Sequence, residues 1–145
     1  MFSIKTAIKT DNKNIKRFYK QQHYSACFMG YDTTYIAVDN YANHIIASAI
    51  VSYSSSENTQ GLLHALVVAK EHRNKTIASN LITEIISTHT SVICFANESL
   101  QPFYHKFGFE LVIADNSFIT QTNLIRYNAY KKQQKTLAIF IYNPA

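Results

Sequence analysis

Between Arg73 and Ser79 the sequence reads Arg-Asn-Lys-Thr-Ile-Ala-Ser, two cations followed by small and β-branched residues where a helical pattern begins. The chemistry open to such a stretch is anion binding. The first amides of a helix have no intrahelical acceptor, and the aligned peptide dipoles add partial positive charge at that end. With Arg73 and Lys75 beside them, those amides would hold a phosphate or pyrophosphate well. An exposed basic loop ahead of an ordinary amphipathic helix has the same composition, so the turn alone leaves both readings open.

The flanking elements must aim that turn. Leu62–Val68 is apolar except for His64, as expected of a central strand covered on both faces. Thr76–Ser87 sets Ile77, Ala78, Leu81, Ile82, Ile85 and Ile86 at helical spacing, with Thr83, Glu84 and Ser87 opposite. Ser91–Ala96 is a short buried strand, and strand, helix and strand in succession predict a parallel crossover. Upstream, Phe2–Ile8 alternates like a half-buried strand, Asp11 or Asn12 offers an N-cap, and Asn12–Gln22 puts Ile15, Phe18 and Tyr19 on one helical face. Thr33–Val38 and His44–Tyr53 read as a hairpin about Asp39–Asn43. Downstream, Asn97–Lys106 is a short helix closed by Gly108 as its C′ residue. Phe109–Ile113 and Thr136–Tyr142 are strands, and part of Asn116–Gln134 is helical. His23–Asp32 has no clear period. Neither linker nor repeat divides residues 1–145, which read as a single domain.

Composition removes several function classes. Hydrophobic residues make up 47% of the 145, enough for a core and too many for disorder. The net charge of +5 includes a cluster at Lys13, Lys16, Arg17 and Lys20, which favours anionic ligands. It forms no basic stripe interleaved with aromatics, so nucleic acid is not expected as a partner. Cys27 and Cys94 lack metal-ligand spacing, and no metal is expected. Cys94, inside SVICFA, reads as a small buried hydrophobe. No signal-peptide pattern or long apolar span occurs, so a soluble, cytoplasmic protein without membrane contact is expected.

Two stretches together carry a family resemblance. Arg73-Asn74-Lys75-Thr76-Ile77-Ala78 resembles the acyl-CoA-binding motif Q/R-x-x-G-x-G/A of the GCN5-related N-acetyltransferases (GNAT). The first and last positions match. The middle glycine is Thr76 here, and Asn74 stands where the RGxG form has glycine. Phe103-Tyr104-His105-Lys106-Phe107-Gly108-Phe109-Glu110 closely resembles the family's fYeklGFe signature, with Asn97 after a strand ahead of it. Two ordered motifs are more specific than either alone. The resemblance implies an α/β (α+β) fold of GNAT type, a central mixed, mostly antiparallel sheet flanked by helices.

It also implies an activity, transfer of an acetyl group from acetyl-CoA to a primary amine by direct attack. Acetyl-CoA would be the cosubstrate, with no metal. Its pyrophosphate would lie on the amides of Asn74, Lys75, Thr76, Ile77, Ala78 and Ser79, beside Arg73. Its pantetheine would pair with the strand edge at Leu66, Val67 and Val68, where an amide of Val67 or Val68 could polarise the thioester carbonyl. Asn97 would hydrogen-bond near the pantetheine, and Tyr104 would protonate the departing thiolate. No motif fixes the base. His64, placed by strand alternation on one face with Leu66 and Val68, is a candidate, and so is a histidine merely satisfied within the sheet. Glu57, Glu71, His72 and water-mediated deprotonation are weaker options. Without its glycines the turn is expected to bind CoA more weakly than a glycine form. A degenerate domain that binds CoA or a protein partner without catalysis is the alternative function. The acceptor amine, on a small molecule or a peptide, is left open, as is a homodimeric state. Tyr19, Tyr24, Phe28 and Tyr31 could line an acceptor pocket or pack in the core.

Overall fold

In a computed structural model of the chain, residues 1–26, 31–53, 60–73 and 76–143 are described, Tyr31 by its backbone alone. Asn74, Lys75, Glu57, Cys27 and Phe28 lie outside the described residues. The strands are β1 (Phe2–Thr6), β2 (Tyr31–Asp39), β3 (Ile45–Tyr53), β4 (Gly61–Val68), β5 (Val92–Asn97), β6 (Glu110–Val112) and β7 (Leu137–Tyr142). They form one sheet in the order β1-β2-β3-β4-β5-β7-β6. All neighbours are antiparallel except β4 and β5, whose parallel pairing requires the crossover through a helix. The helices are α1 (Asn12–Gln21), α2 (Ile77–Thr88), α3 (Gln101–His105) and α4 (Gln121–Lys131). The mixed, mostly antiparallel sheet flanked by helices is thus the architecture expected from the sequence.

Side-chain alternation sorts the core onto the two faces of the sheet. On one, α2 contributes Ile77, Leu81, Ile82 and Ile85, packed with Tyr104, Phe109 and the inward residues Ala47, Ala49, Val51, Leu63, Cys94 and Phe140. On the other, α1 sets Ile15, Phe18 and Tyr19 against Ile36, Ile50 and Ala65, and α4 sets Tyr127 against Leu62, Ile93, Ile139 and Ile141. Leu81, Ile82 and Ile85 are wholly buried, each worth about 1.5–3 kcal/mol relative to exposure. The buried amide of Gln60 fastens α4 to the base of the sheet. Its Nε2 donates to the Phe118 carbonyl at 2.6 Å, and its Oε1 accepts from Asn123 Nδ2 at 2.9 Å.

Strand β4 is not regular. Ser48 pairs with Val67 and Ile50 with His64, so three residues of β4 span the step that two take on β3. The extra residue lies at a β-bulge, and Ala65 adopts the left-handed conformation there, φ +55°. The expectation that His64 shares a face with Leu66 and Val68 is therefore overturned. Leu66 and Val68 pack with Leu63 against the α2 side. Ala65 and Val67 face α1, and His64 points the same way, bonded to Ser52. One added residue inverts every side chain beyond it.

Candidate functional site

The parallel pairing of β4 and β5 is short. It runs through Gly61–Val92, Leu62–Ile93 and Leu63–Cys94, after which the strands part. Beyond the bulge β4 therefore presents an edge that β5 does not cover. The register shows which amide faces that opening. Ala69 N donates to Ile46 O at 2.8 Å, which makes Val68–Ala47 a non-hydrogen-bonded pair. The N–H and C=O of Val68 thus turn away from β3 toward the opening, while those of Val67 turn to the ladder. Of the two residues expected near a thioester carbonyl, only Val68 turns its amide into the opening. Leu66 flanks it, half-buried.

Arg73 is exposed, and its Nε donates to the Val68 carbonyl at 3.2 Å. One donor of the guanidinium thus ties the turn to the strand end, and a guanidinium has five. The helix expected from Thr76 begins one residue later, at Ile77, with Thr76 as its N-cap. Thr76 sits in the left-handed region, φ +62° and ψ +10°, a conformation that favours glycine. The position where the motif has glycine is therefore one where the backbone calls for it. Ile77 is buried against the core, while Ala78 and Ser79 are half-buried in the first turn of α2.

Asn97 ends β5, and its side chain is locally engaged. Oδ1 accepts from Ser99 N at 2.9 Å, and Nδ2 donates to Thr136 Oγ1 at 3.0 Å. The pair fixes where β5 turns toward α3. Tyr104, on α3, is buried, stacked on Phe140 with ring centroids 5.0 Å apart and edge-on to Phe103 and Phe109. It packs in the same cluster as Cys94, the β5 residue in the last pair before the strands part. Tyr104 thus lies on the α2 side of the sheet, in the cluster that includes the last β5 residue paired with β4. Burial drives its pKa far up, with Cys94 adding to the rise, so it keeps its proton. The same burial pushes the Cys94 thiol up, which removes it as a nucleophile.

On the opposite face the opening widens into a cleft of about 480 Å³. Tyr24, Ser25, His64, Ala65, Phe95, Tyr130 and Gln134 line it. Tyr24 follows α1 and Tyr130 belongs to α4, so the two helices bring their tyrosines over the bulge from either side. Burial raises the Tyr24 phenol, and the nearby Tyr130 adds to it. His64 Nε2 is 2.7 Å from Ser52 Oγ. Desolvation pulls the imidazole down to about 4, opposed by Asp32 and assisted by Arg126, so His64 is neutral at pH 7. Arg126 is itself held by Asn123 Oδ1 at 3.3 Å.

The structure thus gathers Val68, Arg73, Tyr104 and His64 around one opening, with Asn97 at its far strand. Tyr24 is among the tyrosines expected to line a pocket, and Tyr130 joins it from α4. Ser52, Phe95, Arg126 and Gln134 were not foreseen. Ser52, a polar residue in an apolar strand, was a legible sign that its end of β3 meets a polar partner, His64. Among the described residues no helix is long and apolar enough to cross a membrane.

Comparison with known proteins gives the opening its context. Among curated proteins, none matches this sequence. Solved structures share the fold. An N-acetylglutamate synthase from Neisseria gonorrhoeae, complexed with coenzyme A and N-acetyl-glutamate, aligns with TM-score 0.66 at 14% identity over 98% of this chain. This chain spans 35% of that synthase's length. An N-acetyltransferase from Staphylococcus aureus Mu50 aligns with TM-score 0.66 at 19% identity, covering 99% of this chain and 97% of its own. Glucosamine-6-phosphate N-acetyltransferase from Arabidopsis thaliana gives 0.62 at 13% identity, over 81% and 97%. At such identities the likeness is one of fold. The family model of the acetyltransferase (GNAT) domain matches residues 30–111, which takes in β2 to β5, the start of β6, Arg73 and Tyr104. By that match over more than half its length, the chain belongs to the GNAT acetyltransferase family.

Proposed function

We propose that the protein is an acetyl-CoA-dependent N-acetyltransferase that acetylates a primary amine by direct attack on the thioester. The observation that carries the reading is the parting of β4 and β5 with the Val68 amide turned into the gap and a helix N-terminus at its end. A pantetheine arm fits an uncovered strand edge, because its amides can complete the ladder that β5 leaves. Coenzyme A complexes among proteins of the same fold support the cosubstrate. The thioester supplies an acyl group already activated toward amines.

Val68 N–H serves as the oxyanion donor, fixed by the β3 ladder before substrate arrives. Arg73 and the first amides of α2 hold the pyrophosphate. Tyr104 donates its proton to the departing thiolate.

Deprotonation of the amine follows from magnitudes. An alkylammonium titrates near about 10.4 and His64 near about 4. Moving the proton onto His64 would cost about 9 kcal/mol at about 1.4 kcal/mol per decade. Release to solvent at pH 7 costs about 5 kcal/mol by the same rule. Water-mediated deprotonation therefore prevails, and neutral His64 positions the amine or its water as an acceptor. The described cleft lining carries no formally charged side chain, which suits an amine with an apolar or aromatic body.

Tyr104→Phe is the test. Turnover should fall about 10²–10⁴-fold while CoA affinity by calorimetry stays within a factor of two to three. An unaltered rate removes Tyr104 from the chemistry. The left-handed Thr76 favours a second reading, a domain that binds CoA without catalysis. Thiol release in the presence of any amine of a panel ends that reading.

A further inference from the structure

We propose that Asp39, His44 and His72 form a binding site for a divalent transition metal of the zinc class, outside the acyl-transfer cleft. One ligand atom from each lies within 4.8 Å of the others. The three come from separate parts of the chain. Asp39 ends β2, His44 immediately precedes β3, and His72 lies in the 3-10 turn Lys70–His72 that follows β4. The fold brings them together through two backbone bonds. Asp39 N donates to His44 O at 2.9 Å, closing the hairpin, and Ala69 N donates to Ile46 O at 2.8 Å, laying the 3-10 turn beside it.

The carboxylate is held in place before any ion binds. Its Oδ1 accepts from the amides of Tyr41 at 2.8 Å and Ala42 at 3.2 Å. Outer hydrogen bonds of this kind orient ligands in known metal sites. Asp39 and His72 are half-buried and His44 is exposed. The side chains must draw in to reach metal–ligand bonds of about 2.0–2.2 Å, and His44, on an exposed turn, is free to swing. Two imidazoles and one carboxylate suit zinc, copper, nickel or iron. Calcium and magnesium, which take oxygen ligands, fit poorly. Three protein ligands leave further positions for water.

The experiment uses the untagged 145-residue protein, stripped with a chelator and titrated with zinc chloride in a calorimeter. One equivalent should bind. His44→Ala, His72→Ala and Asp39→Asn should each weaken binding at least about tenfold, since even outer-shell partners are worth about 10–100-fold. Asn keeps an oxygen for the two turn amides, so Asp39→Asn removes the charge while sparing the hairpin. His23→Ala and His105→Ala should bind as the parent does. Circular dichroism verifies that each variant is folded, and zinc should shift the imidazole resonances of His44 and His72 but not of His89. The proposal is overturned by the absence of saturable binding, or by equal binding in the folded double variant His44→Ala/His72→Ala.

Discussion

Thr76→Gly tests most directly the proposed phosphate-binding role of the turn before α2. Thr76 has φ +62° and ψ +10°, a region that costs an L-residue roughly 1–2 kcal/mol and a β-branched one no less. Glycine removes that strain. It also widens the unfolded ensemble, a loss of about 0.5–1 kcal/mol. Its cap preference nearly equals that of threonine, so the N-cap contributes a few tenths at most. The Thr76 carbonyl still accepts from Asn80 N, which starts α2. The net expectation is a gain of about 0.5–1 kcal/mol, or roughly 1–4 °C in Tm for a chain of this size. Loss of Cβ also opens the approach to the α2 amides, so CoA should bind about two- to tenfold tighter, the equivalent of up to about 1.4 kcal/mol. Thr76→Ala is the control, because alanine keeps the Cβ and the left-handed penalty. Denaturant and thermal unfolding measure stability, and calorimetry measures CoA affinity. Equal stabilisation by glycine and alanine would refute the strain account, as would destabilisation by glycine.

Two further expectations concern the histidines and the strand packing. His64 and His89 both titrate below their unfolded value because burial disfavours the charged form. The unfolded chain then binds more protons, so this stability is complete above about pH 6.5 and drains as pH falls toward 4. His64 alone, lowered to about 4, accounts for about 3 kcal/mol. His64→Gln should flatten the stability–pH profile in that window, and an unchanged slope would discount His64 as its source. Gly61→Ala would set a methyl 2.5 Å from Val51 Cγ1 and 3.1 Å from the Tyr53 ring and hydroxyl. Overpacking of this kind costs about 1–3 kcal/mol, read by urea denaturation, and a neutral result would mean that β3 yields more easily than its burial implies.

Much of the fold was legible because it is local. The Leu/Ile spacing of α2, the alternation of β1 and the Gly108 stop depend on neighbours within a turn or two of the chain. α2 and β1 fall within two residues of their expected bounds, whereas the helix expected over Asn97–Lys106 is α-helical only over Gln101–His105, because Asn97 still belongs to β5 and Glu98–Leu100 is a 3-10 turn. The two motifs were equally legible, since Arg73 and Tyr104 sit at fixed offsets from elements that periodicity reveals. The lining of the cleft was not. Tyr24 and Tyr130 meet over the bulge only because α1 and α4 pack on one face, and nothing near either residue encodes the other.

What the sequence determined by itself, then, is the succession of strands and helices, the strand–turn–helix with its cations, and the family signature. Only the tertiary structure decided the direction of His64, because the bulge at Ala65 carries no glycine to announce it and alternation across it misleads. It also decided that Val68 rather than Val67 offers its amide, through a pairing with β3 more than twenty residues upstream. Tyr104 against Cys94, and Asp39 against His72, are likewise products of sheet order. Sequence patterns record the face that each residue buries. Register and strand order, which rest on contacts between distant segments, settle which faces meet.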